Sequence, residues 1–219
     1  MAWQVWLAFF GAAIAIAVSP GAGAIQSMAT GLTHGVRRGY WSILGLEIGL
    51  MLQLSLVAAG LGAVVTNSIL AFNIIKWIGV AYLFYLAVRQ WRTATVDLRE
   101  QVATAMDGGR LSLVVRGFLV NATNPKGNAT NPKGLVFFLA VLPQFVVPTA
   151  PLLPQYLAIG VTMVAVDLVV MGLYTALSVR LLKWMQTPRK QTVVNRVFSG
   201  LFAAAAVILS LVRRGPATA

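Results

Sequence analysis

The sequence predicts an all-α integral membrane protein: six transmembrane helices arranged as two three-helix inverted repeats, with the first and fourth helices broken. Three observations carry that expectation. Of the 219 residues, 58% are hydrophobic and 10% charged, and the mean hydropathy is +0.81; a water-soluble domain carries about 25% charge, enough to cover its surface. The apolar residues gather in runs long enough to cross a hydrocarbon core of about 30 Å at 1.5 Å per residue. Proline and glycine interrupt the first run of each half at corresponding places.

The same composition excludes several classes of function. With no cysteine and one histidine, neither a disulfide framework, a thiolate metal site nor a multi-histidine centre is available, and no cofactor is expected. The net charge of +12 would suit nucleic acid if the basic residues shared one water-facing surface. They punctuate apolar runs instead, so the expected partners are membrane lipid and a small molecule, not nucleic acid.

Apolar runs lie at about 3–25, 40–65, 69–89, 111–147, 152–178 and 193–212. In the first, Trp3 and Trp6 fit interfacial anchors, and no Lys or Arg precedes the run as a cleaved signal peptide requires, so a retained helix is expected. The fourth run is too long for one straight span and contains a polar stretch, which predicts two helical pieces around a break. Basic residues concentrate in alternate loops: Arg37 and Arg38 in the first, Arg89, Arg92, Arg99, Arg110 and Arg116 in or beside the third, and Arg180, Lys183, Arg189, Lys190 and Arg196 in the fifth. The positive-inside rule places these loops in the cytoplasm and both termini outside, whereas a five-span arrangement with a re-entrant fourth segment would change the terminal assignments. A first half (1–90), a cytoplasmic linker (91–110) carrying Asp97, Glu100 and Asp107, and a second half (111–219) follow.

Backbone groups freed by a helix break must be satisfied within protein or by a wet cavity. The breaks are Ser19-Pro20-Gly21-Ala22-Gly23 and Asn124-Pro125-Lys126-Gly127. Matched broken helices in two halves point to a transporter's central binding site, which makes Pro20, Gly21, Gly23, Asn124, Pro125 and Lys126 candidates for the transport path. Asp167 falls mid-way along the fifth run and Glu47 within the second. A carboxylate at the bilayer centre costs about 2.5–3.5 kcal/mol on insertion scales, so it should face a partner or water. Either a substrate-ammonium or proton site, or a structural partner for a lysine or freed backbone amides, accounts for such a residue. Lys76, whose stem can snorkel, and the softer polar residues Gln53 and Gln144 complete the intramembrane set. Gly45 and Gly49 form a small-xxx-small pair suited to close helix packing within one subunit or in a homo-oligomer.

Residues 121–127, Asn-Ala-Thr-Asn-Pro-Lys-Gly, are repeated without change at 128–134. Seven helical residues fall about 20° short of two turns and add about 10.5 Å. Lys126 and Lys133 therefore cannot share one structural position, and the second copy adds Asn131, Pro132 and Lys133 to the candidates. The apparent glycosylation sequons at Asn121 and Asn128 sit inside a membrane segment, and Gly127 to Lys133 lacks the Gly and Ser/Thr of a phosphate-binding loop. Any pumping must therefore draw on an ion or substrate gradient.

The chain resembles the LysE/Rht family of amino-acid exporters. The resemblance rests on Ser19-Pro20-Gly21-Ala22-Gly23-Ala24-Ile25, Gly31-Leu32-Thr33-His34-Gly35, Leu70-Ala71-Phe72-Asn73-Ile74-Ile75-Lys76-Trp77 with Ala81-Tyr82-Leu83, Asn124-Pro125-Lys126, Pro143-Gln144-Phe145-Val146 and Val166-Asp167. It implies a bacterial inner-membrane, multi-pass, proton-coupled exporter of homoserine, homoserine lactone or similar small neutral amino acids, with both breaks lining the path. The chain departs from the family pattern in having Ala22 where Pro-Gly-Pro is common, and two Asn-Pro-Lys elements instead of one. A passive pore for small polar metabolites is the alternative of the same architecture. An enzyme is not expected, because one histidine near a loop and no cysteine leave little from which to build an intramembrane nucleophile–base pair.

Overall fold

The computed structural model describes residues 3–19, 21–67, 69–93, 109–122, 132–147, 150–185 and 187–211, and among these the ordered elements are all helices. In chain order they are α1 (Trp3–Val18), α2 (Ala22–Asn67), α3 (Ile69–Arg92), α4 (Arg110–Ala122), α5 (Pro132–Phe145), α6 (Leu152–Ala176), α7 (Ser178–Met185) and α8 (Pro188–Leu211). The stretches Ala22–Gly60, Leu152–Ala176 and Pro188–Leu211 are long and apolar enough to cross a membrane, and α1 is a shorter apolar helix.

A straight helix over Ala22–Asn67 would far exceed a bilayer, and α2 is not straight. Gly35 has φ 72° and ψ 173°, a region open only to glycine because a Cβ would clash with the backbone. There the chain reverses. Gln26 Nε2 reaches Ser42 Oγ at 3.2 Å, although sixteen helical residues would separate them by about 24 Å. Thus α2 is two arms, 22–34 and 36–67, packed side by side. The sequence expectation of a first span ending near 25 and a second starting near 40 is corrected: the break falls after Val18, the shorter arm continues to the reversal, and the second arm begins directly after it.

The second arm lies along α4 with almost no space between backbones. A Cβ on Gly45 would collide with the Val114 carbonyl oxygen, and one on Gly117 with the Ser42 carbonyl oxygen. This is the close approach that small residues permit where no hydrophobic force drives helices together in lipid. The arm also packs on α6, where Gly160 faces Leu54 and Met51, and Gly172 faces the Tyr40 ring. On the far side α3 pairs with α8: Ser199 Oγ donates to the Ala87 carbonyl at 2.7 Å, and Gln90 Nε2 to Asn195 Oδ1 at 2.9 Å.

One apolar core unites α1, the second arm of α2, α3, α5, α6 and α8 around Phe9, Leu54, Phe138, Leu142, Ile159 and Phe202. Large apolar side chains such as Leu70, Val161 and Ile208 remain at least 65% exposed, as expected of a surface whose solvent is hydrocarbon. Two features were not anticipated from sequence. The fifth loop folds into α7, with Ser178 and Met185 buried and Arg180 and Lys183 outward. The turn before α6 is held by Gln155, which accepts from Val147 N at 2.8 Å and donates to the carbonyls of Val147, Ala150 and Pro151 at 2.9–3.3 Å.

Candidate functional site

The break between α1 and α2 is where polar groups collect. Val18 ends α1, and its carbonyl, which has lost its place in the helical ladder, accepts a hydrogen bond from Tyr174 Oη at 2.8 Å. The first intrahelical bond of α2 runs from Ile25 N to Gly21 O at 3.0 Å. The amides of residues 22–24 therefore precede the ladder and form the positive end of the helix.

A narrow cavity of about 80 Å³ opens against these amides. Its walls are Ser19 and 21–24 from the break, Leu46, Leu50 and Gln53 from the second arm of α2, Asn121 from α4, Gly134, Phe137 and Phe138 from α5, and Met163, Asp167 and Met171 from α6. A cavity needs about 10–15 Å³ to hold a water molecule, so this space admits water. Glycine at position 23 brings backbone to the wall: its Cβ position lies 3.6 Å from Leu46 Cδ2.

Asp167 is 8% exposed and lines this cavity. The Glu47 carboxyl, 6% exposed, is not in the cavity wall but interacts electrostatically with the Asp167 carboxyl. Neither Glu47 oxygen receives a hydrogen bond from a donor among the described residues. Opposite, α4 is tied to the second arm at its last turn. Asn121 Nδ2 donates to the Leu46 carbonyl at 2.7 Å, and Gln53 Nε2 donates to the Asn121 carbonyl at 2.5 Å. A Cβ on Gly134 would meet Gln53 Oε1 at 2.5 Å, so the first turn of α5 also closes on this glutamine. Asn121 begins the first copy of the duplicated heptapeptide and Gly134 ends the second, and both face the same cavity.

Of the residues singled out from sequence, Gly21, Gly23, Gln53 and Asp167 line the cavity and Glu47 contacts it through Asp167. Pro20, Asn124, Pro125, Lys126 and Asn131 lie outside the described residues, while Pro132 and Lys133 form the first turn of α5. Proline suits that position, since a helix's first amide has no acceptor to lose. Lys76 and Gln144 are not in the cavity wall: Lys76 is buried on α3 with its Nζ 5.0 Å from the Trp77 ring centroid, and both polar side-chain atoms of Gln144 are buried without a hydrogen-bond partner among the described residues. Not among the sequence candidates were Ser19, Asn121, the aromatic pair Phe137 and Phe138, and the methionines Met163 and Met171. Ser19 carried a signal as the first residue of the break, and Asn121 as the first residue of the repeat. Among the described residues no group of three or more His, Cys, Asp or Glu could hold a metal ion.

Comparison with known proteins accounts for nearly the whole chain. The profile of the LysE type translocators matches residues 14–212. The chain is 39% identical to the homoserine/homoserine lactone efflux protein of Salmonella typhimurium over 214 residues, covering 97% of this chain and 99% of the relative. It is 37% identical to a membrane protein of Vibrio cholerae, covering 94% and 97%. A leucine efflux protein of an Enterobacter species is 29% identical over 133 residues, covering 60% and 58%. No solved structure matches the chain. Long apolar helices, a helix break beside a cavity that holds a buried carboxylate, and a family match across the length agree: the chain belongs to the LysE type translocators, multi-pass transport proteins of the bacterial inner membrane.

Proposed function

We propose that this protein exports homoserine, homoserine lactone or similar small neutral amino acids from the cytoplasm by proton-coupled secondary transport. The observation that carries the reading is the convergence of a broken helix's free amides and a buried carboxylate, Asp167, on one cavity. A zwitterion's carboxylate suits the positive end of α2 at 22–24, and its ammonium suits Asp167. A lysine of the duplicated segment, Lys126 or Lys133, is the proposed cationic counterpart of the substrate carboxylate. Identity to a homoserine/homoserine lactone efflux protein over 97% of the chain supports the substrate class.

Proton coupling is supported by Glu47 behind Asp167. Two carboxyls facing one another in a low-dielectric interior share a proton more readily than they carry two charges. In the proposed cycle, ammonium binding at Asp167 displaces that proton, and proton return releases the substrate outside. The proposed frame for alternating access has residues 1–90 and 111–219 as inverted three-helix halves, with the 91–110 linker cytoplasmic and both termini outside. Supporting it, the second arm of α2 packs on both α4 and α6, and α3 pairs with α8.

Efflux of labelled homoserine from preloaded bacterial cells, with this chain against empty vector, tests the reading. Faster efflux that collapses with an uncoupler is expected. Faster efflux insensitive to the uncoupler would replace the transporter with a passive pore. No difference with the protein confirmed in the membrane would remove homoserine as substrate.

A further inference from the structure

Two hydrogen bonds join α1 to α6, and both span 156 positions: Trp6 Nε1 donates to Thr162 Oγ1 at 3.0 Å, and Tyr174 Oη to the Val18 carbonyl at 2.8 Å. The two helices therefore run parallel and in register, pinned near the start of α1 and again at its last residue. The cavity-lining residues of α6, Met163, Asp167 and Met171, fall between the pins. Tyr174 follows Met171 by three residues, so it continues the same helical face about one turn beyond the cavity. Its half-buried ring belongs to two apolar clusters. One contains Ile43, Leu46 and Met171 beside the cavity, and the other is built on Met28 and Met185.

The two sides of the Tyr174–Val18 bond are held differently. Thr175, next to the tyrosine, is clasped by both arms of α2: a Cβ on Gly31 would collide with its carbonyl oxygen, and one on Gly39 with its Cγ2. These glycines flank the Gly35 reversal, so Tyr174 stands between the cavity and the end of the molecule that carries the reversal. Contacts this close leave the end of α6 no room to shift. By contrast, α1 buries only the stripe Phe9, Ala13 and Ala17, and the phenol holds a carbonyl that has left the helical ladder. With the cavity as the transport site, as proposed above, we infer that the Tyr174–Val18 bond is a latch. It closes the cavity on the side of the reversal, and its release lets the end of α1 swing away and admit substrate there. The flexible side chains of Met28, Met171 and Met185 around the ring suit a packing that must part and re-form.

The chain has no cysteine, so a single introduced thiol reports the state of the latch. Ser19→Cys places it in the cavity wall, one residue beyond the Val18 carbonyl. Val36→Cys, at an exposed position beside the reversal, identifies which membrane face that is. Each is labelled with a membrane-impermeant methanethiosulfonate in right-side-out and inside-out vesicles. Adding Tyr174→Phe should raise labelling at position 19 roughly threefold to fifteenfold from the reversal face, the equilibrium shift that one interhelical hydrogen bond supplies. Labelling from the other face should not change. Thr162→Val removes the opposite pin and should not raise labelling from the reversal face. Should Tyr174→Phe fail to reach the membrane, Tyr174→Met removes the same donor. Unchanged labelling overturns the latch. So does an increase from both faces, or an equal one with Thr162→Val, because either marks general loosening of the helices. Labelling needs no substrate, so a failed latch and a failed homoserine efflux are told apart.

Discussion

Replacing Gln53 by Leu probes how the wall of the transport cavity is held. The side chain is 4% exposed, and its Nε2 donates to the carbonyl of Asn121, one residue before α4 ends. A carbonyl in a helix's last turn has no intrahelical partner, so the leucine removes the donor that this acceptor has among the described residues. That costs about 1–3 kcal/mol. Asn121→Ala removes the reciprocal bond from Nδ2 to Leu46 O, but this carbonyl lies within α2 and keeps its place in the helical ladder. The expected loss is smaller, about 0.6–1.7 kcal/mol as for other interhelical bonds in membranes. Asn121→Asp puts a carboxylate against the same carbonyl oxygen and should exceed both, at about 2.5–3.5 kcal/mol for an intramembrane charge. Reversible unfolding in mixed micelles measures the series, with labelled homoserine efflux run alongside. A neutral Gln53→Leu, or an Asn121→Ala as damaging as Asn121→Asp, would refute the view that these bonds fix the end of α4 to α2.

Two further outcomes follow from the packing. Gly117→Val forces a branched side chain onto the Ser42 carbonyl oxygen; overpacking of about 1–3 kcal/mol should lower the unfolding midpoint, and an unchanged midpoint would mean the helices are not in contact there. Deleting residues 128–134 leaves a chain identical to one lacking 121–127, with an Asn and a Gly still flanking a single Asn-Pro-Lys. Because Asn121 and Gly134 are the cavity-lining ends of the doubled stretch, the shortened chain should export homoserine at least as fast as the full one. Loss of export from a membrane-inserted deletion variant would show that the second copy is required.

Much of this arrangement was legible because a membrane makes its exceptions conspicuous. Gly21 and Gly23 interrupt an apolar run, and Asp167 is a charge where hydrocarbon is expected; both types of residue must face a cavity or a partner, and these do. Residues whose role depends on what packs against them were harder to place. Glu47 and Gln144 look alike in sequence as lone polar groups in apolar runs, yet only Glu47 meets Asp167. Lys76 sits buried beside Trp77 on α3, away from the cavity, an outcome its long stem left open. The reversal at Gly35 had no signal beyond a glycine ahead of two arginines, since the positive φ that makes the glycine necessary is a property of the folded backbone. The aromatic and methionine wall of the cavity, Phe137, Phe138, Met163 and Met171, is indistinguishable in sequence from ordinary core.

In the proposed mechanism the cavity at the helix break is the transport site and Asp167 is its essential charge. Asp167→Asn keeps the size of the side chain and removes its ability to carry charge or exchange a proton. The direct measurement is labelled homoserine efflux from preloaded cells expressing wild type, Asp167→Asn or empty vector, with membrane levels of both proteins matched. Efflux at the empty-vector rate is expected for the mutant. Efflux at the wild-type rate would contradict it and remove Asp167 from the mechanism.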